Sequence, residues 1–119
     1  NVLEQIVDGN LEASTSFLTW DELMWVLRKR RDTKTANEEC GKFLQFPNLR
    51  LIPIDEQVIR RAQKFVEDYD LKPHDAIHAA SAAVLGIKEI ISNDPDFDAM
   101  KEIRRIPLEK FLPKKSGKK

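Results

Sequence analysis

The sequence predicts an α/β fold, in which a parallel β-sheet is covered by helices on both faces. Short segments with strand composition alternate along the chain with longer segments that carry helix signals, which is typical of parallel sheets. The length of 119 residues fits one domain. Hydrophobic residues make up 41% of the chain and charged residues 34%, which is typical of a globular domain and excludes wholesale disorder.

The first part of the chain predicts a helix, a strand and a second helix. Residues 2–8 have apolar positions at helical spacing, and residues 13–17 form a short segment without helix signals, which we interpret as a strand. A helix over 19–31 follows, because Thr19 and Glu22 have the spacing of a capping box.

The helix over 19–31 is apolar around most of its circumference. It carries two tryptophans, Trp20 and Trp25, together with leucine, methionine and valine side chains. We therefore expect this helix to be buried on more than one side, with both tryptophans in the core.

The middle of the chain predicts a helix, a strand and another helix. The helix over 34–46 stops before Pro47, and residues 49–54 form a compact apolar segment that we interpret as a strand. Asp55 then has the position of an N-cap for a helix over 56–69.

The last part of the chain predicts a helix and two short strands. Pro73 begins a helix rich in alanine that ends at Gly86, and its small side chains favour close packing against a neighbour. Residues 88–92 have strand composition, and residues 93–96 form a loop. Residues 103–107 are predicted to be an edge strand, where proline is tolerated.

The charges divide the chain into a domain and a tail. Twenty basic residues balance twenty acidic residues, but four lysines lie in the last six positions. Residues 1–112 therefore carry a net charge of −4, and we predict one domain over 1–112 and a basic, disordered tail over 113–119. An acidic domain is not a simple basic clamp for nucleic acid.

Two further features predict a cytoplasmic protein that does not cross a membrane. No apolar run approaches the ~20 residues that span a bilayer, and no signal-peptide pattern begins the chain. The single cysteine, Cys40, excludes an internal disulfide and fits a reducing compartment.

Acidic residues follow the predicted strands at the sheet edge where α/β proteins bind their ligands. Glu22 comes soon after the strand at 13–17, and Asp94 and Asp96 follow the strand at 88–92. Asp75 lies in the first turn of the helix that leads into that second strand. Carboxylates gathered at one edge repel each other unless a cation lies between them. A divalent ion such as Mg²⁺ takes oxygen ligands, and it activates water towards a phosphodiester.

Each of these acids also has a purely structural interpretation. Glu22 could complete the capping box, Asp75 could favour a helix N-terminus, and Asp94 and Asp96 could stabilise a turn.

The two histidines of the chain offer another kind of site. His74 and His78 are one helical turn apart, with an acid after the first, as in zinc hydrolases, although that acid is Asp and not Glu. The structural alternative is a hydrogen-bonded, partly buried His78 and a surface His74.

Three segments together resemble the acid motifs of PIN-domain proteins, in the same order and spacing. They are Thr-Ser-Phe-Leu-Thr-Trp-Asp-Glu-Leu at 15–23, Leu-Lys-Pro-His-Asp-Ala-Ile-His-Ala-Ala at 71–80, and Ile-Ile-Ser-Asn-Asp-Pro-Asp-Phe-Asp at 90–98. The most similar subgroup is the VapC-type toxins of prokaryotic toxin–antitoxin pairs.

The resemblance implies a ribonuclease that depends on Mg²⁺ or Mn²⁺ and has a Rossmann-like parallel sheet. It also implies a homodimer that a small antitoxin protein holds inactive. Carried over by position, Glu22, Asp75 and Asp94 are the catalytic, metal-binding acids. Asp96 is an accessory acid, and Ser92 provides a supporting hydroxyl.

One departure from the family pattern concerns its first strand, which carries the first catalytic Asp. No segment of this chain corresponds to it, so we expect an N-terminally incomplete PIN-like fold and a native gene product with further residues upstream. The rival interpretation is a catalytically incomplete PIN-like module that binds protein or RNA. RNA phosphates would meet Arg28, Arg30 and Arg31 or the lysine-rich tail.

Overall fold

The computed structural model describes residues 2–111 and contains every predicted helix and strand in the predicted order. The helices are α1 Val2–Val7, α2 Leu18–Arg30, α3 Thr33–Leu44, α4 Glu56–Tyr69 and α5 Pro73–Val84. The strands are β1 Ala13–Ser16, β2 Leu49–Ile52, β3 Glu89–Ile91 and β4 Arg104–Ile106, with 3₁₀ helices at Pro95–Ala99 and Leu108–Phe111. The predicted ends are within about two residues of these bounds, as helix and strand ends generally are. The predicted tail over 113–119 lies outside the described residues.

The four strands form two separate parallel pairs. β1 pairs with β2, with Ala13 opposite Leu49, and β3 pairs with β4, with Glu89 opposite Arg104. The parallel arrangement that the alternation of strands and helices predicted is confirmed. Within the described residues no strand joins the two pairs, so β1 and β3 each keep one edge without a strand partner.

Local side-chain contacts fix where several helices begin. The Asp55 carboxylate accepts a hydrogen bond from the Val58 amide at 3.0 Å, which confirms the predicted N-cap of α4. Asp32 caps α3 in the same way through the Thr35 amide. α4 ends at Asp70, which adopts a left-handed conformation that short polar side chains tolerate.

The core lies mainly between α4 and α5. Phe65 of α4 is 1% exposed, and three alanines of α5, Ala76, Ala79 and Ala80, are fully buried. The small side chains let the two helices approach closely, as the alanine-rich sequence predicted.

Helix α2 differs from the sequence-based expectation in two respects. None of its residues is buried, and Trp20 and Trp25 are 37% and 62% exposed, so the prediction of a helix buried on several sides with both tryptophans in the core is wrong. The capping box is wrong too, because the helix begins after Phe17 without a side-chain cap, and Thr19 bonds to the Thr15 hydroxyl at 2.7 Å instead. Apolar composition predicts burial, but only the neighbours of a helix decide it.

No helix within residues 2–111 is long and apolar enough to cross a membrane.

Candidate metal centre

Three of the predicted site residues come together at one edge of the fold. Asp75 lies in the first turn of α5, Asp94 directly precedes the first 3₁₀ helix, and Asp96 lies in its first turn. One carboxylate oxygen of each lies within 4.8 Å of the other two. Asp75 and Asp94 are half-buried and Asp96 is exposed. Residues far apart in sequence therefore form one acid cluster, which we define as Asp75, Asp94 and Asp96.

The loop after β3 orients Asp94 and Asp96 through short-range hydrogen bonds. The Asp94 amide donates to the Ser92 hydroxyl at 3.0 Å, and the Asp96 amide donates to the Asp94 carboxylate at 2.9 Å. Ser92 thus holds the backbone that carries Asp94. Asp94 also caps its own 3₁₀ helix, so the structural interpretation of this acid is correct as well, alongside its place in the cluster.

The electrostatics of the cluster are unfavourable for three bare carboxylates. Burial and the adjacent Asp94 carboxyl raise the pKa of Asp75 above its ordinary value, and Asp96 adds to the effect, while His78 opposes it. A hard divalent cation relieves such repulsion and prefers oxygen ligands. The donor set therefore fits a hard divalent cation, and Asp75, Asp94 and Asp96 are the residues that could hold it.

Glu22 lies beside the cluster but has other partners. Its Oε1 is 2.8 Å from His78 Nε2 and its Oε2 is 3.2 Å from His74 Nδ1. Among the described residues, the groups of ligand atoms close enough to hold a metal do not include Glu22 or either histidine, so no zinc site of that composition is present there. His78 is mostly buried and His74 largely exposed, as the structural alternative predicted.

A cavity of about 570 Å³ separates the two parallel pairs. Its lining includes residues of both β1 and β3, and also Glu22, Asp75 and Ser92. The cavity thus lies between an unpaired edge of β1 and an unpaired edge of β3, and it reaches the acid cluster at Asp75. Its volume is within the range of ligand pockets.

Comparison with family models identifies the family of this chain. The family model for the PIN domain matches residues 1–103, which is most of the chain. The chain belongs to the PIN-domain family. A comparison with curated proteins finds no match.

Solved structures with the same fold agree with this PIN-domain assignment. A toxin–antitoxin complex from Klebsiella pneumoniae is 22% identical, with a TM-score of 0.57 over 75% of this chain and 69% of that chain. VapBC bound to DNA, from Salmonella typhimurium, is 18% identical, with a TM-score of 0.66 over 79% and 74%. VapBC2 from Rickettsia felis, bound to a fragment of promoter DNA, is 17% identical, with a TM-score of 0.69 over 90% and 82%. At these identities the likeness shows the fold.

The sequence did not identify every side chain that orders the site of this PIN domain. The spacing of His74 and His78 on one helix face was visible, but nothing indicated that Glu22 lies between them. Arg105 contacts the loop that carries Asp94. Nothing in the sequence indicates this contact, because Arg105 is one arginine within a short predicted edge strand.

Proposed function

We propose that this PIN domain is a ribonuclease that depends on Mg²⁺ or Mn²⁺. The observation that carries the proposal is the acid cluster, in which three carboxylates from two separate segments, α5 and the loop after β3, converge within 4.8 Å. Such a concentration of negative charge is unfavourable for stability alone, and metal-dependent hydrolysis is a chemistry that makes use of it.

Asp75, Asp94 and Asp96 would hold the ion, and Glu22 would contribute from the adjacent side of the cavity. When bound, the ion would polarise the phosphodiester of the RNA and lower the pKa of a water molecule. Ser92 keeps the Asp94 backbone in place, and the histidines hold the Glu22 carboxylate through both of its oxygens. Carboxylates held in one orientation would position the attacking water relative to the phosphorus atom. Such positioning is the main contribution that a protein makes to this reaction.

We propose further that a β-strand occupies the cavity between β1 and β3, which would complete the sheet. A strand there would bond to both free edges and turn the two pairs into one five-stranded sheet. Unpaired strand edges in a protein interior are costly, which favours this occupant. A strand that runs parallel to β3 would end beside the acid cluster, where an acidic residue would add a ligand.

RNA cleavage tests both proposals. The gene product, with whatever residues precede position 1, and the chain of 1–119 are incubated with a broad RNA set in Mn²⁺ or in EDTA. Asp94→Asn is the test variant, and Asp68→Asn, an exposed acid of α4 paired with Lys64, is the matched control. We expect cleavage that EDTA and Asp94→Asn abolish and Asp68→Asn preserves. If the gene product has residues before position 1, stronger cleavage by it than by the chain of 1–119 would support the strand proposal.

A folded protein that neither cleaves RNA nor binds Mn²⁺ would contradict the nuclease and favour the rival interpretation, a PIN-like module that binds protein or RNA.

We also propose that the protein is a VapC-type toxin that a small antitoxin protein inhibits. The three structural neighbours are toxin–antitoxin complexes, and α2 exposes apolar side chains, including Trp25 and Val26, that a protein partner would cover. Co-expression with a candidate antitoxin tests the proposal. Trp25→Glu should weaken the complex and leave RNA cleavage by the free protein unchanged. Unchanged binding would remove α2 from the interface.

The remaining proposals concern assembly, RNA contacts and location. We propose a homodimer, which light scattering of the purified gene product would test. The exposed basic residues at the end of α2, Arg28, Arg30 and Arg31, would meet RNA phosphates. A cytoplasmic location fits the buried, free thiol of Cys40.

A further inference from the structure

Two members of the acid cluster lie on one short loop, which we call the acid loop and define as residues 92–98. Asp94 and Asp96 occupy its middle. Its internal hydrogen bonds, from the Asp94 and Asp96 amides, set the shape of the loop. They do not determine where the loop lies relative to Asp75 on α5, so contacts to a neighbouring element must do this.

Arg105 of β4 contacts the acid loop at both of its ends. Its Nη1 donates to the Ser92 carbonyl oxygen at 3.2 Å. Its Nε and Nη2 donate to the two Asp98 carboxylate oxygens at 2.9 and 3.1 Å, a bidentate pair. The guanidinium thus spans the segment that carries Asp94 and Asp96.

The surroundings of Arg105 differ from those of a surface arginine. Its side chain is 20% exposed, whereas that of the adjacent Arg104 is 73% exposed and pairs with Glu89. Its hydrogen bonds to Asp98 lower the pKa of that carboxyl, and Asp98 in turn raises the pKa of Arg105. Three nitrogens of the guanidinium are already engaged within the protein, so Arg105 is poorly placed to be a clamp for substrate phosphate.

We propose that Arg105 is a positioning residue of the acid cluster, and that it holds both ends of the acid loop so that Asp94 and Asp96 meet Asp75. The role acts through the loop and needs no contact with metal or substrate. It requires the planar fork of arginine, because a lysine ammonium is a single point that cannot reach a carbonyl and both oxygens of a carboxylate in the same geometry. The inference rests on the proposed metal centre for its effect on ion binding.

The test compares Arg105→Lys and Arg105→Met with Arg104→Met in the full gene product. Arg104 is the matched control because successive residues of a strand point to opposite faces. Two readouts are used: Mn²⁺ affinity by titration calorimetry, and hydrogen exchange of the Asp94 and Asp96 amides without metal. We expect both Arg105 variants to bind Mn²⁺ about 10- to 100-fold more weakly, which is the usual effect of losing a residue that orients metal ligands. Exchange at both amides should become about tenfold faster, while Arg104→Met remains like the wild type.

Three outcomes would overturn the inference. The first is wild-type Mn²⁺ affinity and amide exchange in folded Arg105→Lys and Arg105→Met. The second is an equal change in Arg104→Met, which would indicate a general effect on β4. A lower melting temperature with unchanged Mn²⁺ affinity would show that Arg105 supports the fold alone, and it would also overturn the proposal. If the wild type does not bind Mn²⁺, the metal centre fails, and amide exchange still decides whether Arg105 fixes the loop.

Discussion

Replacing Asp75 by Asn should make the metal-free protein more stable while it removes metal binding. One carboxyl oxygen of Asp75 lies within 4.8 Å of a carboxyl oxygen of Asp94 and of a carboxyl oxygen of Asp96. Its raised pKa has burial as the first cause and the charge of Asp94 as the second. An amide has nearly the same size and carries no charge, and its NH₂ group adds a hydrogen-bond donor that the ionised carboxylate lacks. The substitution therefore removes the repulsion and leaves the packing intact.

The size of the gain follows from Coulomb's law. Two unit charges 4.8 Å apart repel by about 3.5 kcal/mol at an effective dielectric constant of 20, and by about 0.9 kcal/mol in water. Because the cluster is partly open to solvent, a value of about 1 kcal/mol for each pair is appropriate. Asp75 takes part in two pairs, so Asp75→Asn should stabilise the metal-free protein by about 2 kcal/mol, which corresponds to about 8 °C in melting temperature.

The pH dependence of this gain has a defined sign. Because the pKa of Asp75 is raised in the folded state, its side chain favours folding at pH values below its ordinary pKa, and this contribution disappears as pH rises through the raised value. The stabilisation by Asp75→Asn should therefore be present at pH 7 and vanish near pH 3. Asp98→Asn is the matched control, because Arg105 lowers the pKa of Asp98. Its contribution to stability is present above the ordinary pKa of Asp and lost as pH falls, so Asp98→Asn should lower the melting temperature at pH 7.

The assay is thermal unfolding followed by circular dichroism, with and without Mn²⁺. An ion at 100 times its Kd stabilises a protein by about 2.7 kcal/mol, so the wild type should melt higher in Mn²⁺ and Asp75→Asn should not respond. The reasoning is refuted if Asp75→Asn lowers the melting temperature of the metal-free protein at pH 7 or keeps the full response to Mn²⁺.

Three further substitutions test the fold. Phe65→Ala should cost about 3–5 kcal/mol by urea denaturation, because the ring is 1% exposed between α4 and α5; a loss below 1 kcal/mol would contradict this core. Asp55→Ala should cost about 1 kcal/mol, because the Val58 amide loses its acceptor, and Asp55→Asn should restore most of the loss. Trp25→Ser should change the free energy of unfolding by less than about 0.5 kcal/mol, because the indole is 62% exposed. A loss of stability near that of Phe65→Ala would show that Trp25 is a core residue.

The local elements of this protein were predictable because their signals are local. The Asp55 carboxylate meets an amide three residues away, and Pro73 fits the first turn of a helix whatever surrounds it. Such interactions depend on a few neighbouring residues, so the sequence contains all the information needed. The same reasoning failed at Thr19, because Thr15 of β1 offers its hydroxyl a competing partner.

The burial of α2 was not predictable from its composition. Its apolar residues occupy most of the helix circumference, and in a large protein such a helix is buried. Here α2 packs chiefly against α3, and Trp25 remains 62% exposed. Hydrophobic side chains occur both in protein cores and at protein interfaces. Composition alone therefore does not tell a core helix from an interface helix.

The α/β class, the order of the helices and strands, and the acids that follow strands could all be predicted from the sequence. Each of these follows from residue periodicity or from position relative to a strand. Tertiary structure alone decided that Asp75, Asp94 and Asp96 form one cluster, that His74 and His78 both contact Glu22, and that Arg105 bridges the two ends of the acid loop. These contacts join residues through space, and their distances depend on how α5, β3 and β4 pack, which no local pattern specifies.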